Sequence, residues 1–208
     1  MSTLNELVAL VAAELRDPGH AVWSADEITM HVRSALHDWS QAAPRRLAAV
    51  LASEAGRLEY DLAALASLME VTDVWYPYAA ADPPETPARP AWSQPCDGVL
   101  RLEGVDAPLG DGSDDLRVFY TAPHTIEGLD GAVETTLDAQ GERLMVVAAS
   151  AHAALQVAQS AIGTVTATGW TPKQYAEWAV LRLELYRRGL DDVRRRAALA
   201  TDPRVVWG

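Results

Sequence analysis

Arg57-Leu58-Glu59-Tyr60-Asp61-Leu62 alternates polar and apolar side chains, which is the period of a half-buried strand and not of a helix. Before it the chain has a different period. Leu4, Leu7, Leu10/Val11 and Leu15 recur at three and four residues and predict an amphipathic helix that stops before Pro18-Gly19. Ser24-Ala25-Asp26-Glu27 is a capping box, and it opens a helix through Ile28, Val32, Ala35/Leu36 and Trp39 that ends before Pro44. After it, Val71, Val74, Trp75 and Tyr76 predict a further strand. Gly98–Glu103 and Leu116–Tyr120 read as a strand pair, joined through the turn cluster Gly110-Asp111-Gly112-Ser113-Asp114. Pro77, Pro83, Pro84, Pro87, Pro90 and Pro95 exclude a helix or a central strand over 77–95 and predict an extended surface loop.

Helical periodicity then returns. Leu144, Val147/Ala148, Ala151, Leu155, Ala158 and Ile162 mark a long alanine-rich helix. Thr171-Pro172 starts a last one, with Tyr175, Ala179, Leu183, Tyr186, Leu190, Val193 and Ala197 along one face. The expected fold class is α+β: mostly a bundle of four helices (3–17, 24–40, 141–163, 172–198) with an inserted antiparallel β segment and a Pro-rich loop. The chain reads as a single domain over 1–208. Its helical frame is 1–45 and 141–200, its β insert 46–140 and its C-terminal tail 201–208.

Charge is distributed unevenly. Residues 53–143 hold 18 acidic and 5 basic side chains, a net of −13 in a chain whose total is −12. The flanks are close to neutral, and the end of the last helix is basic at Arg187, Arg188, Arg194, Arg195 and Arg196, where cations suit the helix dipole. Such asymmetry speaks of partners and placement more than of chemistry. Asp191 and Asp192 interrupt the arginine run, and the acidic whole is unlike a duplex binder.

No catalytic constellation is legible. GxSxG, GxxxxGK[ST] and GxGxxG are absent, and His31 and His37 are six apart, off any common helix face. Counting a calcium loop from Asp111 places Ala122 where a bidentate Glu is needed. Cys96 is alone, so no intrachain disulfide or cysteine metal cage forms. No cofactor or metal is expected. Ser150, His152, Gln156, Gln159 and Ser160 interrupt the apolar run 144–162, which argues against a membrane span. Met1-Ser2-Thr3-Leu4-Asn5-Glu6 lacks a basic n-region, so the expectation is a soluble protein made in a cytoplasm. Seven Trp and six Tyr against one Phe fit partly wet interfaces, but one Lys and one Asn beside abundant Arg and Ala favour a GC-rich coding sequence as the reason.

The order of these elements resembles the head-to-tail adaptor (connector) proteins of tailed bacteriophages. Leu7-Val8-Ala9-Leu10-Val11-Ala12-Ala13-Glu14-Leu15-Arg16-Asp17 and Trp23-Ser24-Ala25-Asp26-Glu27-Ile28 are similar to the family's first helix, loop and W-S-x-x-E-I/L second helix. Ala35-Leu36-His37-Asp38-Trp39 followed by Pro44 resembles the end of that helix. Leu58-Glu59-Tyr60-Asp61-Leu62 resembles the strand leading to Y-x-L-P, with Ala63 where Pro is common. Leu116-Arg117-Val118-Phe119-Tyr120-Thr121-Ala122-Pro123-His124 resembles the strand and Y-x-x-P-H turn that precede the terminal helices.

The resemblance implies a non-enzymatic virion protein of the neck: a homo-oligomeric ring, commonly of twelve copies, bound under the portal. The next neck or tail protein would lie below it, and DNA would pass through during ejection without specific binding. It also implies that the C-terminal helix and tail reach the portal, which singles out Arg194, Arg195, Arg196, Arg204, Val205, Val206 and Trp207. An acidic lining suits such a channel because it resists binding to phosphates; Asp106, Asp111, Asp114 and Asp115 are its candidate residues. The alternatives are a stopper or tail-completion protein, and a small helical ligand-binding or enzyme domain.

Overall fold

A computed structural model of the chain describes residues 1–82, 88–160 and 171–199. Four helices and six strands follow in the order α1 (Leu4–Glu14), α2 (Ala25–Ala42), β1 (Arg45–Leu51), β2 (Glu59–Asp61), β3 (Glu70–Tyr78), β4 (Ala91–Cys96), β5 (Val99–Glu103), β6 (Asp115–Ala122), α3 (Ala139–Ser160) and α4 (Pro172–Leu199). The chain divides into two compact units: the helical one is 1–43 with 124–208, and the β one is 44–123.

In the helical unit, α1 and α2 each start on a capping box. Thr3 accepts from Glu6 N and Ser24 from Glu27 N, while both glutamates reach back to the cap N–H at 2.8 Å. Thr171 and Gln174 make the same reciprocal pair ahead of α4. α3 is buried on nearly every side, with Met145, Ala148, Ala149, Ala151, Ala153 and Ala154 all fully covered. Small side chains permit this, because they let α1, α2 and α4 approach one central helix closely. Gly189 of α4 extends the same logic: a Cβ there would lie 2.6 Å from a Leu144 methyl. Residues 124–138 belong to this unit and lace it. Ile126 and Leu137 are fully buried, Leu4 N donates to Glu127 O (2.9 Å), and Thr135 Oγ1 donates to Ser2 O (2.7 Å).

The β unit holds two three-stranded antiparallel sheets of order β1-β6-β3 and β2-β5-β4. Their inner faces share one apolar core: Val71, Val74, Tyr76, Val118 and Tyr120 from the first, Tyr60, Leu100 and Leu102 from the second. Ser53 Oγ donates to Asp114 Oδ1 (2.6 Å), Ser53 N donates to Asp115 Oδ1 (2.9 Å), and Gly56 N donates to Pro108 O (2.9 Å). These bonds fold the 104–114 loop back on the end of β1.

The expectation of a mostly helical bundle with an inserted β segment is corrected here. The protein is mixed α+β, because inward β-branched, leucine and tyrosine side chains on two facing sheets close a core that needs no helix to cover it. Two local expectations also change. Gly98–Glu103 and Leu116–Tyr120 do not pair; β5 lies between β2 and β4, and β6 between β1 and β3. The turn cluster that suggested their hairpin is instead tied down by Asp114. The stretch 77–95 is not loop throughout, since β3 runs to Tyr78 and β4 begins at Ala91. Pro77 and Pro95 sit on edge strands at register shifts, where a missing N–H breaks no ladder. Strand β1 went unforeseen because its Leu-Ala-Ala-Val-Leu run carries little polar contrast.

Candidate interaction surfaces

The loop between α1 and α2 is organised by one carboxylate. Asp17 is buried and accepts from the N–H groups of Ala21 (2.8 Å), Val22 (2.8 Å) and Trp23 (3.0 Å). Burial pushes its pKa up, but the three N–H donors outweigh that and hold it below the ordinary value. The loop delivers Trp23 into the core, where its indole N–H donates to Ala153 O (3.0 Å) and its ring meets Tyr175 edge-on at 6.0 Å. Outside this contact lies a cleft of about 660 Å³ lined by Glu14, Arg16, Val22, Trp23, Tyr175 and Trp178. Arg182 stacks over Trp178 at 4.9 Å and pairs with Glu14.

Two exposed apolar faces stand out. On α4 the buried stripe is Tyr175, Ala179, Tyr186 and Leu190. A second stripe, Leu181 and Leu185 at a spacing of four, faces outward, 68 % and 49 % exposed, while Trp178 beside it packs partly on the helical core. Leu10 of α1 joins it: the helix buries Leu7, Val8, Val11 and Ala12, which leaves Leu10 51 % exposed. Leu10, Ala13, Val146, Val147, Arg182 and Leu185 border one groove of about 600 Å³. Sequence reading traced only the buried stripe of α4; the same spacing one step around the helix was the signal for the second.

The other face is the outer side of sheet β1-β6-β3. Register places Ala48, Phe119 and Asp73 in one row and Val50, Arg117 and Trp75 in the next. Trp75 and Phe119 stack with centroids 4.7 Å apart. The Arg117 guanidinium lies 5.2–5.3 Å from the ring centres of Trp75, Tyr78 and Phe119 and donates to Tyr78 OH (3.1 Å). Val50 is 45 % exposed beside them, and none of Val50, Trp75 and Phe119 belongs to the core.

The residues singled out from sequence fall as follows. Arg194 pairs with Asp191 (3.4 Å), Arg195 with Asp192 (2.7 Å), and Arg196 with both Asp192 (3.1 Å) and Gln140 (3.2 Å). All three lie exposed on the last turns of α4. Arg204, Val205, Val206 and Trp207 lie outside the described residues. Asp106 and Asp111 are exposed in the β unit, and Asp111 accepts from Ser113 N (2.9 Å). The Ser113 hydroxyl, foremost, holds the Asp111 pKa below the ordinary value. Asp114 is 8 % exposed and accepts from the Ser53 hydroxyl and the N–H groups of Leu109 and Gly110. The Ser53 bond, ahead of the others, lowers its pKa. Among the described residues no group of three or more His, Cys, Asp or Glu side chains is placed to hold a metal ion. No described helix is long and apolar enough to cross a membrane.

No family model matches the chain, and no curated protein matches it. Several solved chains are similar to it, three of which are from gene transfer agent particles. One is from the neck of a native GTA particle computed with C12 symmetry (TM-score 0.30, 18 % identity, 86 % of this chain and 92 % of that one). One is from the virion of a native gene transfer agent particle (0.31, 16 %, 84 % and 86 %), and one from the neck of an empty GTA particle computed with C6 symmetry (0.31, 15 %, 84 % and 87 %). TM-scores this low establish no shared fold.

Proposed function

We propose that the protein is a structural, non-enzymatic component of a virion neck, one copy of a homo-oligomeric ring that joins the portal to the tail. The observation that carries this reading is the pair of outward apolar faces on a chain whose cores are already closed. Leu10, Leu181 and Leu185 on the helical unit, and Val50, Trp75 and Phe119 on the β unit, have no inward role left to fill. Large exposed apolar residues gathered on one face mark protein interfaces. The ordered motifs support the same reading, since two of them do structural work here. Trp-Ser-x-x-Glu-Ile builds the α2 cap and buries Trp23. Tyr-x-x-Pro-His places His124 where its backbone N–H donates to Ser40 Oγ (2.9 Å) and its Nε2 meets Ala43 O (3.0 Å).

In this reading the arginine-rich end of α4 (Arg194, Arg195, Arg196) and the tail residues Arg204, Val205, Val206 and Trp207 meet the portal. The β unit turns acidic residues, Asp106 and Asp111 foremost with Asp114 and Asp115 behind them, toward passing DNA. Lining a channel with carboxylates keeps counterion-release binding from stalling the polyanion. Mass measurement tests the proposal. Twelve copies of a 22.5 kDa chain give about 270 kDa as a free ring, or add about 270 kDa to a portal they bind. A particle that stays near 22.5 kDa under both conditions contradicts it. Deleting 201–208 is expected to abolish portal binding and leave the isolated protein folded.

A further inference from the structure

We infer that β1 is an open sheet edge and that two copies of the free chain pair there, β1 against β1 and antiparallel, to make one six-stranded sheet. This goes beyond the ring reading, because such a contact is two-fold and does not itself propagate a ring. The sheets of the β unit have four edges, β1 and β3 in one and β2 and β4 in the other. Three of them carry a feature that resists a further strand. β2 is three residues long and sets charged Glu59 and Asp61 on either side of Tyr60. β3 has Pro77 and two register shifts, and its Tyr76 N already donates to Ala88 O (3.1 Å). β4 has Pro95 and a shift between Ser93 and Cys96. Short edges, prolines, charges and bulges are the means by which proteins keep sheet edges from pairing. β1 lacks all of them over 47–51. It runs against β6 for seven consecutive pairs without a shift, and Leu47-Ala48-Ala49-Val50-Leu51 contains no proline, glycine or charge. Among the described residues, no backbone group of that run bonds to anything but β6.

Burial points to the same edge. Inward side chains of the central strand, Leu116, Val118 and Tyr120, and of β3, Val71 and Val74, are buried. Those of β1, Leu47, Ala49 and Leu51, are only partly buried although they pack on the same core. A strand beyond β1 would cover that margin and pair the outward backbone groups. The occupant follows from the edges. Only an extended strand satisfies a row of N–H and C=O groups at ladder spacing, and β1 is the described edge of a second copy that carries no device against supplying one. A two-fold axis normal to the sheet keeps Leu47, Ala49 and Leu51 of both copies on one face, and Ala48 and Val50 on the other. With the axis at 48–50, Arg45 and Arg46 of one copy meet the far end of the other β1 and not its arginines, so like charges stay apart.

Sedimentation of the wild-type chain without portal is expected to shift from 22.5 kDa to about 45 kDa over a hundredfold rise in concentration. Adjacent residues of an antiparallel strand direct their N–H groups to opposite sides. One of Ala48→Pro and Ala49→Pro therefore removes an outward N–H, and the other a bond to β6. The outward variant should keep a wild-type melt and stay monomeric. Ala48→Cys and Val50→Cys, both at exposed positions and placed in a Cys96→Ser background, give a second measurement. Opposed strand residues lie at disulfide distance. Mild oxidation of either variant, or of the two mixed, should then yield a covalent dimer about tenfold faster than Ser34→Cys on α2. If the wild-type chain alone stays monomeric throughout, or both proline variants associate as it does, or no β1 position cross-links faster than the α2 control, the β1 pairing is wrong. The ring reading then stands on its own test, the mass gained on portal. A wild type that pairs through β1 yet neither forms a ring nor binds portal removes that reading and leaves this one.

Discussion

Two buried aspartates show how single residues set loop geometry in this protein. Asp17 gathers three consecutive N–H groups, and Asp114 joins the 104–114 loop to Ser53. Each accepts several hydrogen bonds as a charged group, so Asp17→Ala or Asp114→Ala is expected to cost about 2 kcal/mol or more at pH 7 in chemical denaturation. Because both folded pKa values lie below those of the unfolded chain, the stabilisation is present above about pH 4 and is lost as pH falls below that. The alanine variants should therefore show a smaller loss of stability from pH 5 to pH 2.5 than wild type; an equal loss would remove these carboxylates from the acid response. His152 acts in the same direction at higher pH. It sits 6.2 Å from His31, ring to ring, while His31 Nε2 meets Gln156 Oε1 (2.7 Å). Burial, and then the neighbouring His31, push its pKa below the free value, against a raising effect of Asp38. The unfolded chain then binds the proton more readily, so stability falls as pH drops through about 6.5. His152→Gln should flatten the change in melting temperature between pH 7.5 and 5.5, and a parallel pair of curves would contradict this.

At the scale of elements, caps and tight approaches decide where segments begin and how closely they pack. The Ser24–Glu27 box was readable as a motif, and Ser24→Ala is expected to cost about 1 kcal/mol through the orphaned N–H groups of the first turn of α2. Gly110 was visible only as a member of a turn cluster. In the fold it has φ +73°, and an added Cβ would stand 2.6 Å from Ala55 N, a backbone atom that cannot swing aside. Gly110→Ala therefore combines left-handed strain with a clash and should lower β-unit stability by about 2 kcal/mol or more. A melting temperature equal to wild type would show that the loop relaxes freely. Strand pairing was the least legible level. Period-two alternation marked 57–62, 98–103 and 116–120 as strands, but alternation states which side faces inward and not which strand lies beside which. Sequence neighbourhood suggested β5 with β6; the Ser53–Asp114 tie and the shared core place them in different sheets.

At the scale of the whole molecule, the β unit begins and ends at neighbouring points. Arg45 opposes Ala122 across β1 and β6, and on the helical side the His124 ring meets Ala43 O at 3.0 Å. A unit with its own core and adjacent ends is expected to fold when excised. Residues 44–123 expressed alone should give a cooperative β-type melt, and the remainder, closed by a short Gly-Ser bridge, a helical one. Failure of both pieces to fold would show that the two cores depend on each other. The amino-acid sequence alone determined the local facts: which segments are helical, that 57–62, 71–76, 98–103 and 116–120 are extended, where α2 is capped and α4 starts, that the middle is acidic and that the last helix ends in arginines. These follow from periodicity and from short-range hydrogen bonding, which a linear chain displays directly. Only the tertiary structure decided that the β residues close a separate core, that 124–138 belongs with the helices, and which apolar side chains face outward. Leu10 and Val11 are adjacent in sequence, and so are Val180 and Leu181 beside buried Ala179. Whether such a residue is covered depends on which neighbours arrive from far along the chain, and composition carries no record of that.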